Sequence, residues 1–335
     1  MKFKPTLLAL CAAFSVSAQA ADSLNLSNYS VSGTYALDIF NGTSGGLSGL
    51  EASAVTYARD RGTLFFVGDE GTGIIEISKT GQTIGSMNFI WAGTGSTKND
   101  TEGLTYLGNG QFVVTEERLQ NAYKFTYVAG GGVALGSSPF ASFGPTIGNI
   151  GIEGISYDAR NGGFVTVKQD DPAKLSIYNT VPFSTTAGAD LTPTSSFTGP
   201  NSNSSLFGLQ SLSDVQTLAP VDALLGTPAA DNLLVLSLDS RSLIEITRAG
   251  VIKSSFDLSN VLPHNGIEGV TIDQNGTIYL VAEQIQDGSN LSPNPQSQLI
   301  VLTAPVPEAE TWALALAGVG LLSLVSRKKK AQAAA

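Results

Sequence analysis

Thr101-Glu102-Gly103-Leu104-Thr105-Tyr106 is followed by a Gly/Asn turn and a second apolar run, Gly110–Val114. The pattern returns as Ile152-Glu153-Gly154-Ile155-Ser156-Tyr157 before Gly163–Val167. It returns again as Ile267-Glu268-Gly269-Val270-Thr271-Ile272 before Gly276–Val281. Self-similarity at this period marks a repeat architecture. Two weaker copies complete the series. Leu50-Glu51-Ala52-Ser53-Ala54-Val55-Thr56-Tyr57 precedes Gly62–Val67, and Leu212-Ser213-Asp214-Val215-Gln216-Thr217-Leu218 precedes Asn232–Leu236. The acidic positions are then Glu51, Glu102, Glu153, Asp214 and Glu268, spaced 51, 51, 61 and 54 residues apart.

Each of the five units reads as four strands. The first carries the acidic motif and the second is the apolar run after the turn. The third is short and alternating: Gly73–Ile77, Ala122–Tyr127, Leu175–Tyr178, Ser242–Thr247 and Gln298–Leu302. The fourth is the least regular, as in Ile84–Phe89 or Val251–Leu258. Four-stranded units of this length stacked radially make an all-β, five-bladed β-propeller. Tyr29–Ile39 precedes the first unit, and no fourth strand follows Gln298–Leu302. Tyr29–Ile39 is therefore expected to pair as the outer strand of the last blade, which removes an open edge. A solenoid would need polar caps, and none is visible. Ala129–Asn149, Ser184–Ser205 and Ile285–Gln296, rich in small polar residues, read as loops or insertions.

The two ends read as address labels. Met1–Ala20 carries Lys2 and Lys4, an apolar run from Leu7 to Val16, and the small-residue end Ser17-Ala18-Gln19-Ala20. This predicts a signal peptide removed after Ala20 or Ala21. The only cysteine, Cys11, lies within it, so the mature chain is expected to have no disulfide. The C-terminus runs Val306-Pro307-Glu308-Ala309-Glu310-Thr311-Trp312, then an apolar stretch to Val325, then Arg327-Lys328-Lys329-Lys330. This layout resembles the PEP-CTERM sorting signal, which implies an exosortase-type sorting enzyme as a partner. It departs from that signal at Ala309, where a second proline is usual. The alternative is an ordinary C-terminal anchor. Both place residues 22–305, the propeller domain, outside the inner membrane, and the expected destination is the cell surface, outer membrane or extracellular matrix.

Setting aside residues 1–20 and 307–335 takes six of the 18 basic residues and two of the 28 acidic ones, leaving 12 against 26, a net of −14. So acidic a body argues against nucleic acid as a partner. It suits a metal cation or a neutral or cationic ligand.

The first strand of a propeller blade lines the central channel. An acidic residue at its start in every blade would form a ring that must take up protons, stay hydrated or bind a cation. Ca²⁺ accepts six to eight oxygen ligands. Glu102, Glu153 and Glu268 are the strongest candidate ligands, with Glu51 and Asp214 as weaker members. The competing reading is that each carboxylate caps backbone N–H groups or forms a salt bridge and simply joins neighbouring blades. A second acidic set ends the second strands: Asp69-Glu70, Glu116-Glu117, Asp170-Asp171, Asp239 and Glu283. It is expected on the opposite face. His264, the only histidine, lies four residues before Glu268, and a lone loop histidine more often does nothing chemical. Trp91 and Phe207 read as packing or rim residues, and no residue is assigned a catalytic role.

The Glu-Gly-hydrophobic-(Thr/Ser)-Tyr units, the Leu50-Glu51-Ala52-Ser53 start, Leu212-Ser213-Asp214 and Asp239-Ser240-Arg241-Ser242-Leu243-Ile244-Glu245-Ile246 together resemble the SdiA-regulated family across about residues 29–303. The resemblance implies a five-bladed propeller distantly related to NHL-repeat proteins and associated with bound calcium. The expected function is an exported, calcium-binding and non-catalytic propeller, acting as a monomer, that presents its rim to a polysaccharide or protein. The alternative is a calcium-dependent hydrolase of a lactone, ester or phosphoester.

Overall fold

The computed structural model describes residues 21–37, 51–69, 72–200, 206–285 and 296–305. The expected signal peptide and sorting tail, Glu70 and most of Ile285–Gln296 lie outside these residues. Alternating apolar runs punctuated by Gly and Asn turns form five antiparallel sheets, blades I to V. Blade I holds Ala52–Ala58, Thr63–Gly68, Gly73–Ile77 and Thr83–Ile90. Blade II holds Thr101–Gly108, Gln111–Glu116, Asn121–Thr126 and Phe140–Ser142, and blade III holds Ile152–Asp158, Gly163–Lys168, Lys174–Tyr178 and Ser195–Thr198. Blade IV holds Asp214–Thr217, Leu233–Ser237, Ser242–Ile246 and Ile252–Asp257. Blade V holds Asn265–Ile272, Ile278–Ile285, Gln298–Thr303 and, from the other end of the chain, Ser30–Ala36.

The expected closure is therefore present. Ser30–Ala36 runs antiparallel to Gln298–Thr303, from Ser30 opposite Thr303 to Ala36 opposite Gln298. The first strand of each blade touches the first strands of both neighbours, and the ring closes from blade V to blade I. Those five strands are the inner wall. Blades I and II meet over an aromatic core in which Phe112 packs on Phe65, Phe125 and Tyr127, and Phe65 also on Tyr127, with centroids 4.6–6.2 Å apart. Trp91 packs edge-on to Phe89 and Tyr123 in the same core. Blades IV and V meet over an aliphatic one built around Leu234, Leu236, Val270 and Leu280. Burying each such side chain contributes roughly 1.5–3 kcal/mol.

Two of the expected insertions carry strands. Ala129–Asn149 contains Phe140–Ser142, the outer strand of blade II, and Ser184–Ser205 contains Ser195–Thr198, the outer strand of blade III. Both are only three or four residues long, and Ser195–Thr198 is largely solvent-facing, so neither has an apolar pattern long enough to read. Ala129–Asn149 also contains Gly132–Ala134, which adds a parallel fifth strand to blade I and covers its edge.

Ahead of the closing strand, Ala21–Asn28 crosses blade IV and is held by one buried side chain. The Glu245 carboxylate accepts from Ser23 Oγ (2.6 Å), Leu24 N–H (2.8 Å) and Asn25 N–H (3.2 Å). It also accepts from Asn232 Nδ2 (2.7 Å) and Ser254 Oγ (2.8 Å).

Candidate metal centre

The motif glutamates sit on β-bulges. Thr101 pairs with Glu116 and Gly103 with Thr115, so Glu102 is an extra residue in its strand. Glu153 stands the same way between Ile152 and Gly154, and Glu268 between Ile267 and Gly269. A bulge re-aims one side chain and strengthens the local twist. The glycine that follows is required by close approach. A Cβ on Gly154 would lie 2.7 Å from Asp214 Cα in blade IV, and one on Gly269 would lie 2.9 Å from Ala54 Cα in blade I.

The five acidic residues are not equivalent. In blade I the bulged residue is Ser53, between Ala52 and Ala54, and Glu51 comes two residues earlier. In blade IV Asp214 is regularly paired with Leu236 and stands where blades II, III and V have the motif glycine, which leaves Ser213 at the glutamate place. Aligning the units on their acids slips these two by one or two positions. Aligning them on Thr56 and Gln216, which occupy the place of Thr105, restores the register. Asp214 instead joins blades: one oxygen accepts its neighbour's Val215 N–H (2.7 Å) and the other accepts Val270 N–H of blade V (2.7 Å). Burial raises its pKa, opposed by those two bonds.

The second acidic set lies on the same face as the first, not opposite. Asp69 N–H donates to Glu51 O (2.9 Å), Glu117 N–H to Asp100 O (2.9 Å) and Gln169 N–H to Gly151 O (3.1 Å). Antiparallel pairing returns the end of each second strand to the start of the first. The two sets therefore merge at one mouth of the channel. Asp69, Asp100 and Glu102 each place a carboxylate oxygen within 4.8 Å of the others.

The electrostatics of this mouth are unfavourable without a counter-ion. Burial, then the charges of Glu153 and Glu268, holds the Glu102 carboxyl well above the usual glutamate range. Glu153 is raised by burial and by Glu117 and Glu268, and Glu268 by burial and by Glu283, Asp69 and, more weakly, Glu51. Asp100 is raised by burial, lowered by a hydrogen bond with Asp69, and raised again by Glu117. Two cations border the cluster on one side. Arg118 Nε lies 2.5 Å from Asp100 Oδ2. Lys168 has its pKa depressed by burial and donates to the Asp170 carbonyl. Glu116 and Glu117 are partly committed: Glu116 accepts from Ser96 Oγ (2.5 Å) and Leu119 N–H (2.7 Å), and Glu117 from Gly151 N–H (2.8 Å). Ser213 Oγ, at the glutamate place of blade IV, is buried with no hydrogen-bond partner among the described residues.

This donor set fits a hard divalent cation. All candidate ligands are oxygens, and opposed ligands around Ca²⁺ lie about 4.6–5.2 Å apart, twice the usual Ca–O distance. The spread of Asp69, Asp100 and Glu102 matches that sphere. Asp100, two residues before its bulge, corresponds in blade I to Glu51, but blades III and V have glycine there, and Asp69 reads as a turn residue, so neither stands out in the linear pattern. The adjacency of Asp100 to Thr101-Glu102 is the available signal.

The chain belongs to the SdiA-regulated family, whose sequence pattern it matches over residues 32–284. Solved structures that resemble it include the glutaminyl cyclase of Myxococcus xanthus (11% identity, covering 83% of this chain and 97% of that one, TM-score 0.49). A catalytically inactive virginiamycin B lyase from Staphylococcus aureus also resembles it (12% identity, 75% and 66% covered, TM-score 0.38). So does a luciferin-regenerating enzyme (12% identity, 77% and 92% covered, TM-score 0.44). At these identities the likenesses carry no activity over to this chain.

Proposed function

We propose that the acidic mouth of the channel is a Ca²⁺ site that ties neighbouring blades together, in an exported, non-catalytic binding propeller. The observation that carries this reading is the convergence of buried and half-buried carboxylates from blades I, II, III and V, whose charges raise one another's pKa values. Asp69, Asp100 and Glu102 would form the core of the site, with Glu153 and Glu268 completing or neutralising it. The ion would supply the positive charge that these groups otherwise lack. Export is supported by the Met1–Ala20 pattern, and surface sorting by the tripartite tail. A saccharide or protein of the surface matrix is the proposed partner.

The test is thermal unfolding of the full-chain protein in EDTA and across a Ca²⁺ titration. A ligand that binds only the native state raises the midpoint in proportion to RT ln(1 + [L]/Kd). Glu102→Gln is expected to raise the metal-free midpoint, because it removes a repelled charge, and to abolish most of the Ca²⁺ shift. Glu153→Ala should reduce that shift. A wild-type midpoint indifferent to Ca²⁺ would overturn the reading. Turnover of a lactone, ester or phosphoester that needs both Ca²⁺ and Glu153 would favour the hydrolase instead.

A further inference from the structure

The opposite mouth of the channel holds a cavity of about 480 Å³, within the range that takes a small molecule. Its walls include Tyr57, Tyr106 and Tyr157, which close the repeat in blades I, II and III, together with Arg59, Asp60 and Asn109. Four residues of inner strand separate Glu102 from Tyr106, so this cavity lies roughly 13 Å from the acidic mouth.

The three rings are firmly held. Each tyrosine N–H donates to a hydroxyl of the preceding blade: Tyr57 to Thr271 Oγ1 (3.1 Å), Tyr106 to Thr56 Oγ1 (3.1 Å) and Tyr157 to Thr105 Oγ1 (2.9 Å). Tyr106 and Tyr157 pack on Phe112 and Phe164, with centroids 4.8 and 5.1 Å apart. The Lys79 ammonium sits 4.7 Å over the Tyr57 ring. Such rings keep their positions when a ligand arrives, which lowers the ordering cost of binding.

The polar groups are oriented but not exhausted. Tyr106 Oη donates to Asp60 Oδ1 (2.5 Å) and accepts from Gly110 N–H (2.8 Å), leaving Asp60 Oδ2 without a hydrogen-bond partner among the described residues. The Arg59 guanidinium is paired with Asp222 (2.8 Å) and reaches Pro220 O (3.3 Å), leaving its Nε–H without an acceptor among the described residues. The Arg59 charge is answered by Asp222, whereas Asp60 is held by the neutral Tyr106 hydroxyl and keeps its charge. An anion gains little here, and the acidic body disfavours one. What remains is a wall of half-buried Tyr106 and Tyr157, with Tyr57 buried beside them, bordered by a carboxylate acceptor, a guanidinium donor and an amide. A polyhydroxyl ligand uses all three polar groups, whereas a cation uses the carboxylate alone.

We infer that this cavity is a binding site for a neutral saccharide, one pyranose of which stacks its C–H face on Tyr106 and Tyr157 while its hydroxyls bond Asp60, Arg59 and Asn109. The site is independent of the Ca²⁺ reading, since none of its lining residues belongs to the acidic cluster.

The test is saturation-transfer NMR and calorimetry on the full-chain protein. The probes are the methyl glycosides of glucose, galactose, mannose and rhamnose, plus N-acetylglucosamine and tetramethylammonium. At least one glycoside should bind, with saturation strongest at its ring protons. Tyr157→Ala should abolish that binding, and Asp60→Asn should weaken it about tenfold, the loss of one charge-assisted hydrogen bond. Glu102→Gln and EDTA should leave it unchanged. Asp60 is exposed, so Asp60→Asn does not threaten the fold and decides the matter if Tyr157→Ala unfolds. The inference is overturned if no glycoside binds at about 20 mM, if binding survives both substitutions, or if tetramethylammonium alone binds.

Discussion

Glu102, Glu153 and Glu268 carry carboxyls whose pKa in the folded chain lies above that of an unfolded glutamate, first because they are buried and then because neighbouring carboxylates repel them. Between the two values the native chain binds protons that the unfolded chain does not, so stability falls as pH rises through that window. In EDTA the unfolding midpoint should therefore be higher near about pH 5.5 than near pH 8. Ca²⁺ must displace those protons, so its stabilisation should grow with pH over the same range. A midpoint in EDTA that drops on acidification from pH 8 to about 5.5 would contradict the clustering. The three glutamates were legible because each opens a Glu-Gly-hydrophobic unit. Asp69 and Asp100 were not, because a linear pattern does not show that the end of one strand returns to the start of its neighbour. The slip at Glu51 and Asp214 has a similar origin. Charge was used to align those two units, whereas the register follows the hydroxyl and amide side chains that bond across blades.

At the scale of the element, the repeat encodes the seams between blades. Thr56, Thr105, Ser156 and Thr271 each accept a backbone N–H from the next inner strand, at 2.9–3.1 Å. In blade IV the Gln216 amide oxygen takes that role and accepts from Thr271 Oγ1 (3.1 Å). The motif's Thr/Ser is thus a seam residue and its Gly a spacer, while its Glu faces the mouth. Thr105→Val keeps the shape but leaves the Tyr157 N–H unpaired, at a cost of about 1–3 kcal/mol. The denaturant midpoint should fall with an unchanged slope. Gly154→Ala forces a Cβ against the backbone of Asp214 and should cost about 1–3 kcal/mol or more. If either variant unfolds like the wild type, the seam assignment is wrong. The inner and second strands could be read from their patterns. The outer strands of blades II and III could not, because three or four residues are too few to show an alternation.

At the scale of the molecule, the ring is closed twice: by Ser30–Ala36 pairing into blade V, and by Ala21–Asn28 lying across blade IV on Glu245. Tyr29 adds a bond between its hydroxyl and Gly276 O (2.7 Å). Glu245→Ala would strip five donors of their acceptor and should cost at least about 3 kcal/mol. Faster hydrogen exchange should then appear at Leu24 and Asn25, with blades I to III unaffected. Uniform loss of protection around the whole ring would instead mean that the closure and the blades unfold as one unit.

The sequence by itself determined the architecture: five units, four strands each, with the chain's first strand completing its last blade. Hydrophobic alternation, turn residues and a fixed period are local, additive signals, and they survive without coordinates. Only the tertiary structure decided which acids meet, that both acidic sets share one mouth, and that the repeat's tyrosines wall a cavity at the other. Those facts depend on strand register and on contacts between blades about fifty residues apart. A one-residue slip in either reverses where a side chain points.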